Sequence, residues 1–157
     1  MRKLTEIIED FNQFIPPCFI SKKPVFSKGR KTGEVEYVSW FHCCELLDKY
    51  CDGYWNWEIR TQFLGDRVVL EGKLTIFTTD GNFTREATGW ESLEVDGYGD
   101  ATSNAEAMAM RRCCAKFGLG RYLWEKEKAP LSTENKPKGK GEISREEWLK
   151  RREKTES

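Results

Sequence analysis

Apolar residues recur at helical spacing near the start of this chain and at strand spacing through its middle. Residues 4–14 predict an amphipathic helix, whose apolar stripe consists of Leu4, Ile7, Ile8 and Phe11. Pro16 and Pro17 end it, because proline cannot continue a helix. Residues 24–38 predict a β-hairpin, since β-branched and aromatic arms flank a polar turn that contains glycine.

A second helix is predicted from the N-cap Ser39 through Cys51. Its expected core positions are Phe41, Cys44, Leu46 and Leu47.

The middle of the chain predicts a sheet. Residues 55–63 alternate between apolar and polar positions, with Trp55, Trp57, Ile59 and Phe63 on one side. After a turn at residues 64–67, the next strand directs Val68, Leu70, Leu74 and Ile76 inward, and Asp80-Gly81 marks a turn into a third strand. The pattern is typical of a three-stranded antiparallel meander whose apolar face needs a cover.

The expected cover is a helix over residues 103–118. Ser103 and Glu106 form a capping box at its start, and Gly118 and Gly120 mark its end. Small side chains allow a close approach to the sheet; they are Ala105, Ala107, Ala109, Cys113, Cys114 and Ala115. The predicted fold class is therefore α+β, in the order α–β–β–α–β–β–β–α.

The composition changes after Trp124. Residues 125–143 predict a flexible charged linker, and residues 144–157 a short helical or disordered tail that presents Trp148 and Leu149. We therefore expect one domain over residues 1–124. The tail is either an inert solubilising segment or a docking peptide for a repair-protein partner.

Charge and cysteine content restrict the possible functions. Basic and acidic residues number 26 each, so a nucleic-acid binder would need its cations gathered into a groove or stripe. The chain shows no apolar run of membrane-spanning length and no apolar signal segment. The six cysteines form no C-x-x-C motif, which favours a reduced cytoplasmic protein over a disulfide scaffold or a zinc site.

Two groups of cations are candidates for binding an anion. Arg111, Arg112 and Lys116 lie on the helix that should cover the sheet, and Lys28, Arg30 and Lys31 lie around the predicted hairpin turn. The alternative for both groups is a solvated or salt-bridged surface. The sequence contains no catalytic motif, no cofactor-binding motif and no metal-ligand motif, so neither a nuclease nor another enzyme is expected.

Two stretches carry a resemblance to a known family. GYGDATSNAEAMAMRRCCAKFGLGRYLW and YVSWFHCCELLDKYCDGYWNWEI resemble the Rad52/Rad22 family of single-strand annealing proteins, and within it the bacterial DNA damage response protein A (DdrA) branch. The resemblance covers roughly residues 35–124. It implies a ring-forming homo-oligomer that binds single-stranded DNA without ATP, between a protruding hairpin and the body of the sheet and helix.

The resemblance also implies roles for individual residues. The family's basic pair in the DNA groove falls on Arg111 and Arg112, and Lys116 is a neighbouring candidate. A further family arginine falls on His42, which is mostly neutral at pH 7, and another basic position falls on Ala115. The hairpin cations Lys28, Arg30 and Lys31 become supplementary phosphate contacts.

Three functions follow as hypotheses. The first is ATP-independent annealing of complementary strands in DNA recombination and repair. The second is protection of single-stranded 3′ ends without annealing. The third is a partner-binding scaffold without DNA contacts, which the departures at His42 and Ala115 favour.

Overall fold

The computed structural model describes residues 1–95, 99–126 and 150, which fall into two compact units. The first unit comprises Met1–Gln13 and Ser39–Arg121, and the second comprises Phe14–Val38 and the described residues from Tyr122. The elements are α1 (Leu4–Phe11), β1 (Ile20–Ser27), β2 (Arg30–Val38), α2 (Trp40–Tyr50), β3 (Trp55–Leu64), β4 (Arg67–Thr78), β5 (Gly81–Ser92), α3 (Ala101–Phe117) and α4 (Arg121–Lys126). The predicted α+β order is confirmed; α4 and a 3₁₀ turn at Pro17–Phe19 are additional.

The sheet of the first unit is the predicted antiparallel meander in the order β3-β4-β5. The inward residues Val68, Leu70, Leu74 and Ile76 are at most 1% exposed, as expected. Ile59 and Phe63 share that side of the sheet, but they are 45% and 64% exposed, so their predicted burial is wrong. The reason is that β3 is an edge strand, whereas α3 packs on β4 and β5.

Helix α3 covers the sheet at very short range, as its small residues predict. A Cβ atom at Gly89 would overlap the carbonyl oxygen of Ala105 and lie 2.8 Å from the backbone nitrogen of Ala109. Val68 and Leu70 complete this part of the core beneath Ala105 and Ala109. The absence of a side chain at Gly89 therefore sets the distance between helix and strand.

Helix α2 buries a different stripe from the one predicted. Leu46 and Leu47 are buried as expected, but Phe41 is 49% exposed and Cys43 and Tyr50 take the remaining core positions. The buried residues have the i, i+3, i+4, i+7 spacing of a single helical face, and Phe41 lies off that face. Ser39 holds the N-cap position without a capping hydrogen bond from its side chain.

Helix α1 contributes an aromatic contact to the same unit. Phe11 packs edge-on against Tyr50 and Phe117, with ring centroids 5.7 Å and 6.5 Å away. Arg2 joins α1 to α2, because its guanidinium contacts the Asp10 carboxylate at 2.7 Å and the Tyr50 carbonyl oxygen at 2.8 Å.

The second unit contains the β1–β2 hairpin. Its turn residues Lys28 and Gly29 have φ values of 51° and 75°, as a two-residue type I′ turn requires. The hairpin prediction is confirmed, although β1 begins at Ile20. At the base of this unit, the Tyr122 hydroxyl accepts a 3.0 Å hydrogen bond from the Ile15 backbone nitrogen.

Within the described ranges, no helix is both long and apolar enough to cross a membrane. Apart from Glu125, Lys126 and Lys150, the predicted linker and tail lie outside the described residues. The domain boundary at Trp124 therefore stays a prediction.

Candidate nucleic-acid interface

The helix that carries the candidate cations starts at a different residue from the predicted cap. Asp100 is the N-cap of α3, and its carboxylate accepts a 2.8 Å hydrogen bond from the Ser103 backbone nitrogen. That bond, with bonds from the Thr102 and Ser103 hydroxyls, lowers the pKa of the Asp100 carboxyl. Ser103 lies inside the first turn, so the predicted Ser103–Glu106 capping box is wrong.

Glu106 instead joins α3 to the edge of the sheet. Its carboxylate accepts a 3.0 Å hydrogen bond from the indole nitrogen of Trp57 on β3. The Trp57 ring lies against Gly72, where a Cβ atom would overlap it. Glu106, Trp57 and Gly72 therefore hold the edge strand against the helix and β4.

Arg112 and Lys116 lie along the open side of β5. Arg112 Nη1 donates a 2.8 Å hydrogen bond to the carbonyl oxygen of Thr88, and Lys116 Nζ donates a 2.5 Å hydrogen bond to that of Glu86. Carbonyls two residues apart point the same way from an extended strand, and β5 has β4 as its one strand neighbour among the described residues. The two cations therefore cover carbonyl groups that an edge strand leaves exposed.

The hydrogen bonds to β5 use only some of the N–H donors of Arg112 and Lys116. A guanidinium presents its N–H donors as a fork and an ammonium carries further N–H groups. Lys116 is exposed and Arg112 is half-buried, so donors of both remain accessible from solvent. Arg112 and Lys116 are thus fixed in place one helical turn apart, which suits consecutive anionic groups such as phosphates.

The same edge borders a cavity of about 450 Å³. Arg60 of β3 and Lys73 of β4 add two more cations to its wall, while three carboxylates line it as well; these are Glu58, Glu71 and Glu86. The four cations and three carboxylates leave the cavity close to neutral. An anion bound here would be held by local contacts with Arg112 and Lys116 and not by a broad basic field.

Sequence analysis missed Arg60 and Lys73 as members of this site. The alternation of β3 and β4 places both on the polar face of the sheet, but their neighbourhood depends on the strand register, which pairs Glu58 with Lys73 and Arg60 with Glu71. Lys73 Nζ and Glu58 Oε2 are 3.9 Å apart, and both side chains are exposed, so their ion pair adds little stability.

Arg111 and His42 lie beside the contact between α2 and α3. Cys44 Sγ and Met110 Sδ approach to 3.9 Å across this contact. His42 lies two residues before Cys44, and Arg111 directly follows Met110. Arg111 is half-buried. The His42 side chain is 19% exposed, and its Nε2 lies 3.9 Å from a Glu45 carboxylate oxygen.

Arg121 is a third cation that the sequence analysis missed. Its Nε donates a 2.9 Å hydrogen bond to the carbonyl oxygen of Ala115, and its Nη2 donates a 3.1 Å bond to that of Lys116. Arg121 therefore caps the C-terminal end of α3, where a positive charge also interacts favourably with the helix dipole. It places an exposed guanidinium beside Ala115, the position where the resemblance implies a missing charge.

The hairpin cations lie in the second unit. Lys28 occupies the turn, Arg30 begins β2, and Lys31 forms a 3.0 Å ion pair with Glu34. This ion pair lowers the pKa of the Glu34 carboxyl. All three cations are exposed.

The cysteines are all free thiols, and several are held in the neutral form. Burial raises the pKa of Cys51 to about 12 and also raises that of Cys113. The pKa of Cys114 is raised chiefly by a hydrogen bond with Cys43, and burial is the next largest cause. Because the thiolate is the nucleophile and the metal ligand, these thiols act as small core residues; no cluster of three metal-ligating side chains occurs in the described part of the chain.

Comparison with known proteins gives the same family as the sequence motifs. The chain is 32% identical over 129 residues to DNA repair RAD52-like protein 1, mitochondrial, of Arabidopsis thaliana, which covers 80% of this chain and 70% of the relative. It is 34% identical over 126 residues to DNA repair RAD52-like protein 2, chloroplastic, of the same plant, covering 78% and 61%. It is 28% identical over 125 residues to the single-stranded DNA-binding protein DdrA of Deinococcus radiodurans, covering 78% and 57%.

No solved structure matches the chain significantly. The sequence profile described as "Rad52/22 family double-strand break repair protein" matches residues 3–141. That match spans most of the chain and includes both stretches that carry the resemblance, so the chain belongs to the Rad52/22 family of double-strand break repair proteins.

Proposed function

We propose that this protein binds single-stranded DNA in repair and, as an ATP-independent homo-oligomer, anneals complementary strands. The observation that carries the proposal is the fixed pair Arg112 and Lys116, which keeps N–H donors accessible at the open side of β5. The names of the relatives support it, since they describe DNA repair and single-stranded DNA binding.

The mechanism requires no catalytic group. Guanidinium and ammonium donors bind phosphates, counterions are released, and affinity falls as salt rises. Arg111, Arg112, Lys116 and Arg121 form the principal contacts, and His42, Lys28, Arg30 and Lys31 supplement them. Because the protein contacts the phosphate backbone of the DNA, the bases stay available to pair with a second strand. Assembly of several copies on one strand supplies the avidity that a monomer with a nearly neutral cavity lacks.

A salt titration of binding to a short single strand tests the proposal. Replacing Arg112 and Lys116 with glutamine removes both charges but keeps side-chain donors for the Thr88 and Glu86 carbonyls. We expect weaker binding to every sequence and a salt slope smaller by roughly 0.7 for each phosphate that the variant no longer binds. Lys49→Gln, on α2 outside the cavity, is the matched control. An unchanged slope in the double variant would rule out this interface.

The alternatives are separated by two further measurements. A protein that binds single strands but does not accelerate pairing of complementary strands is an end protector, a function that fits the name of DdrA. A protein without salt-dependent binding is a scaffold, which the three carboxylates of the cavity favour. His42→Arg restores the arginine that the family resemblance implies at this position. We expect the substitution to tighten DNA binding near neutral pH more than below pH 6.

A further inference from the structure

The side of the sheet that points away from α3 carries an exposed tryptophan. Trp90 of β5 is 48% exposed, and its register partner on β4 is Val69. Val69 alternates with Val68 and Leu70, which are buried beneath α3, so Val69 and Trp90 project from the opposite side. We call that side the outer face. The outer face therefore presents a large aromatic ring to solvent.

Arg67 of β4 orients the Trp90 ring without burying it. The Arg67 guanidinium lies over the indole, 4.7 Å from the ring centroid. Tryptophan is the aromatic side chain that attracts a cation most strongly, so this contact restricts the orientation of the indole. Both residues are exposed, and both end in a planar group. We call Arg67 and Trp90 the stacking pair, because bases stack on aromatic rings and on guanidinium planes.

The stacking pair adjoins the cavity that Arg112 and Lys116 border. Trp90 is two residues from Thr88, which lines the cavity and whose carbonyl oxygen accepts the 2.8 Å hydrogen bond from Arg112. Residues two apart on a strand lie on the same face, about 7 Å from each other. A nucleotide whose phosphate is bound by Arg112 therefore has its base within reach of Trp90.

The charges next to Trp90 favour a base over a further phosphate. The neighbouring row of the outer face contains Arg60 and Glu71, which the strand register pairs with each other. A cation beside a carboxylate gives little net attraction for an anion, whereas an uncharged base is not repelled by either group. Proteins that bind single strands combine cations along the backbone with aromatic side chains on which the bases stack. Arg112 and Trp90 have this arrangement.

We propose that Trp90 and Arg67 form a base-stacking site for the DNA strand whose phosphates contact Arg112 and Lys116. The inference rests on the proposed function and extends it from the phosphates to the bases. Stacking covers the face of a base and leaves its hydrogen-bonding edge free, so the base can still pair with a second strand. Every base has a π-face, so the site accepts any sequence. The bases of a duplex are already stacked on one another, and the site therefore selects single strands.

Two probes of equal charge test the stacking site. One is a short thymidine oligonucleotide, and the other is a deoxyribose-phosphate backbone of the same length without bases. Trp90→Ala should weaken binding of the thymidine strand about tenfold and leave binding of the abasic backbone unchanged. Tyr54→Ala is the matched control, since Tyr54 is 47% exposed and precedes β3, and it should bind both probes like the wild type. An equal loss for both probes, no loss for either, or the same loss in the control overturns the inference.

Two conservative variants separate stacking from packing. Trp90→Phe keeps a smaller π-face and should recover most of the affinity, whereas Trp90→Leu keeps apolar bulk alone and should bind as weakly as Trp90→Ala. All three variants should keep the wild-type melting temperature, because the side chain is exposed. A leucine variant that recovers as much affinity as the phenylalanine variant overturns the inference.

Tryptophan fluorescence gives an independent readout. A stacked base quenches indole emission, and the chain contains six tryptophans. The decrease in emission when the thymidine strand binds should therefore be smaller in Trp90→Phe than in the wild type. An equal decrease in the two proteins overturns the inference.

The salt dependence separates this inference from the proposed function. Stacking releases no counterions, so Trp90→Ala should lower affinity by the same factor at every salt concentration, whereas replacing Arg112 and Lys116 with glutamine should reduce the slope. If the cation interface alone is wrong, the double glutamine variant keeps the wild-type slope while Trp90→Ala still weakens binding of the thymidine strand. If the stacking site alone is wrong, the double variant loses slope and Trp90→Ala binds that strand like the wild type.

A protein contact at the same surface would give a different result. Tryptophan and arginine are also enriched at the energetic centres of protein interfaces. Light scattering should show the same assembly for Trp90→Ala as for the wild type. Reduced self-association, together with equal weakening of both probes, would identify a contact between copies of the chain and overturn the base-stacking site.

Discussion

Arg112 crosses from α3 to the open side of β5 and donates a 2.8 Å hydrogen bond to the carbonyl oxygen of Thr88. The same guanidinium is the central candidate for phosphate binding. Covering a strand edge and binding an anion use different donors of one group, so the two roles coexist. The two roles of Arg112 can be separated, because different substitutions should abolish each of them.

Arg112→Leu and Arg112→Gln separate the two roles. Leucine leaves the Thr88 carbonyl without its donor, and we expect a loss of about 1 kcal/mol in the free energy of unfolding. Glutamine retains an N–H donor and should lose less, whereas both variants should bind single-stranded DNA equally weakly. Denaturant unfolding and a salt titration measure the two quantities. Equal destabilisation with unchanged DNA binding would make Arg112 purely structural.

Gly89→Ala should be among the most damaging small substitutions in the first unit. The added Cβ would overlap the Ala105 carbonyl oxygen, and a helix backbone cannot yield as a flexible side chain can. We expect a loss of about 3 kcal/mol in the free energy of unfolding. Gly33→Ala is the control, because a Cβ there meets nothing within 4 Å, and it should stay within about 0.5 kcal/mol.

Asp100→Ala should lower the melting temperature more than Ser103→Ala, because Asp100 is the N-cap of α3. Its pKa is lowered in the folded protein, so its stabilisation is full above the unfolded-state pKa and is lost as pH falls through the folded-state pKa. The difference between wild type and Asp100→Ala should accordingly vanish in strong acid. Asp100→Asn, which still caps a helix, should remove the pH dependence while keeping most of the stability. A larger effect of Ser103→Ala would contradict this assignment of the cap.

Thiol labelling should follow burial. The pKa of Cys51 rises from 9.0 to about 12, so near neutral pH its thiolate fraction is about 1000-fold below that of an unperturbed thiol. Cys18 is half-buried and should react first with a thiol reagent. Cys51, Cys113 and Cys114 should react when denaturant opens the fold. A Cys18→Ser variant identifies the fast phase, and rapid native labelling of Cys51 would contradict its burial.

Much of this fold follows from local patterns. Period-two alternation located β3 and β4, helical spacing located α1, and glycine at residue 118, where φ is 112°, marked the end of α3. The family was also evident from the sequence, because the motifs around Arg111 and Arg112 are contiguous. Such features depend on backbone periodicity and turn chemistry, which neighbouring residues decide.

Burial along β3 and the start of α3 could not be inferred in the same way. Phe63 alternates correctly but is exposed, because α3 covers β4 and β5 and leaves the end of the edge strand open. Ser103 has the sequence of a cap, but Asp100 offers a carboxylate that accepts three hydrogen bonds at the first turn. The exposure of Phe63 was decided by tertiary packing, whereas the start of α3 was decided by a competing N-cap residue three positions earlier in the sequence.

The sequence by itself determined the α+β order, the family and the identity of the helix that bears the cations. The tertiary structure decided that Arg112 and Lys116 cover the edge of β5, that Arg60 and Lys73 join them, and that Arg121 caps α3 beside Ala115. Secondary structure arises from residues close in the chain, so its signal survives in the sequence. The site is assembled by strand register and by helix-to-sheet packing, which join residues as far apart as Arg60 and Lys116.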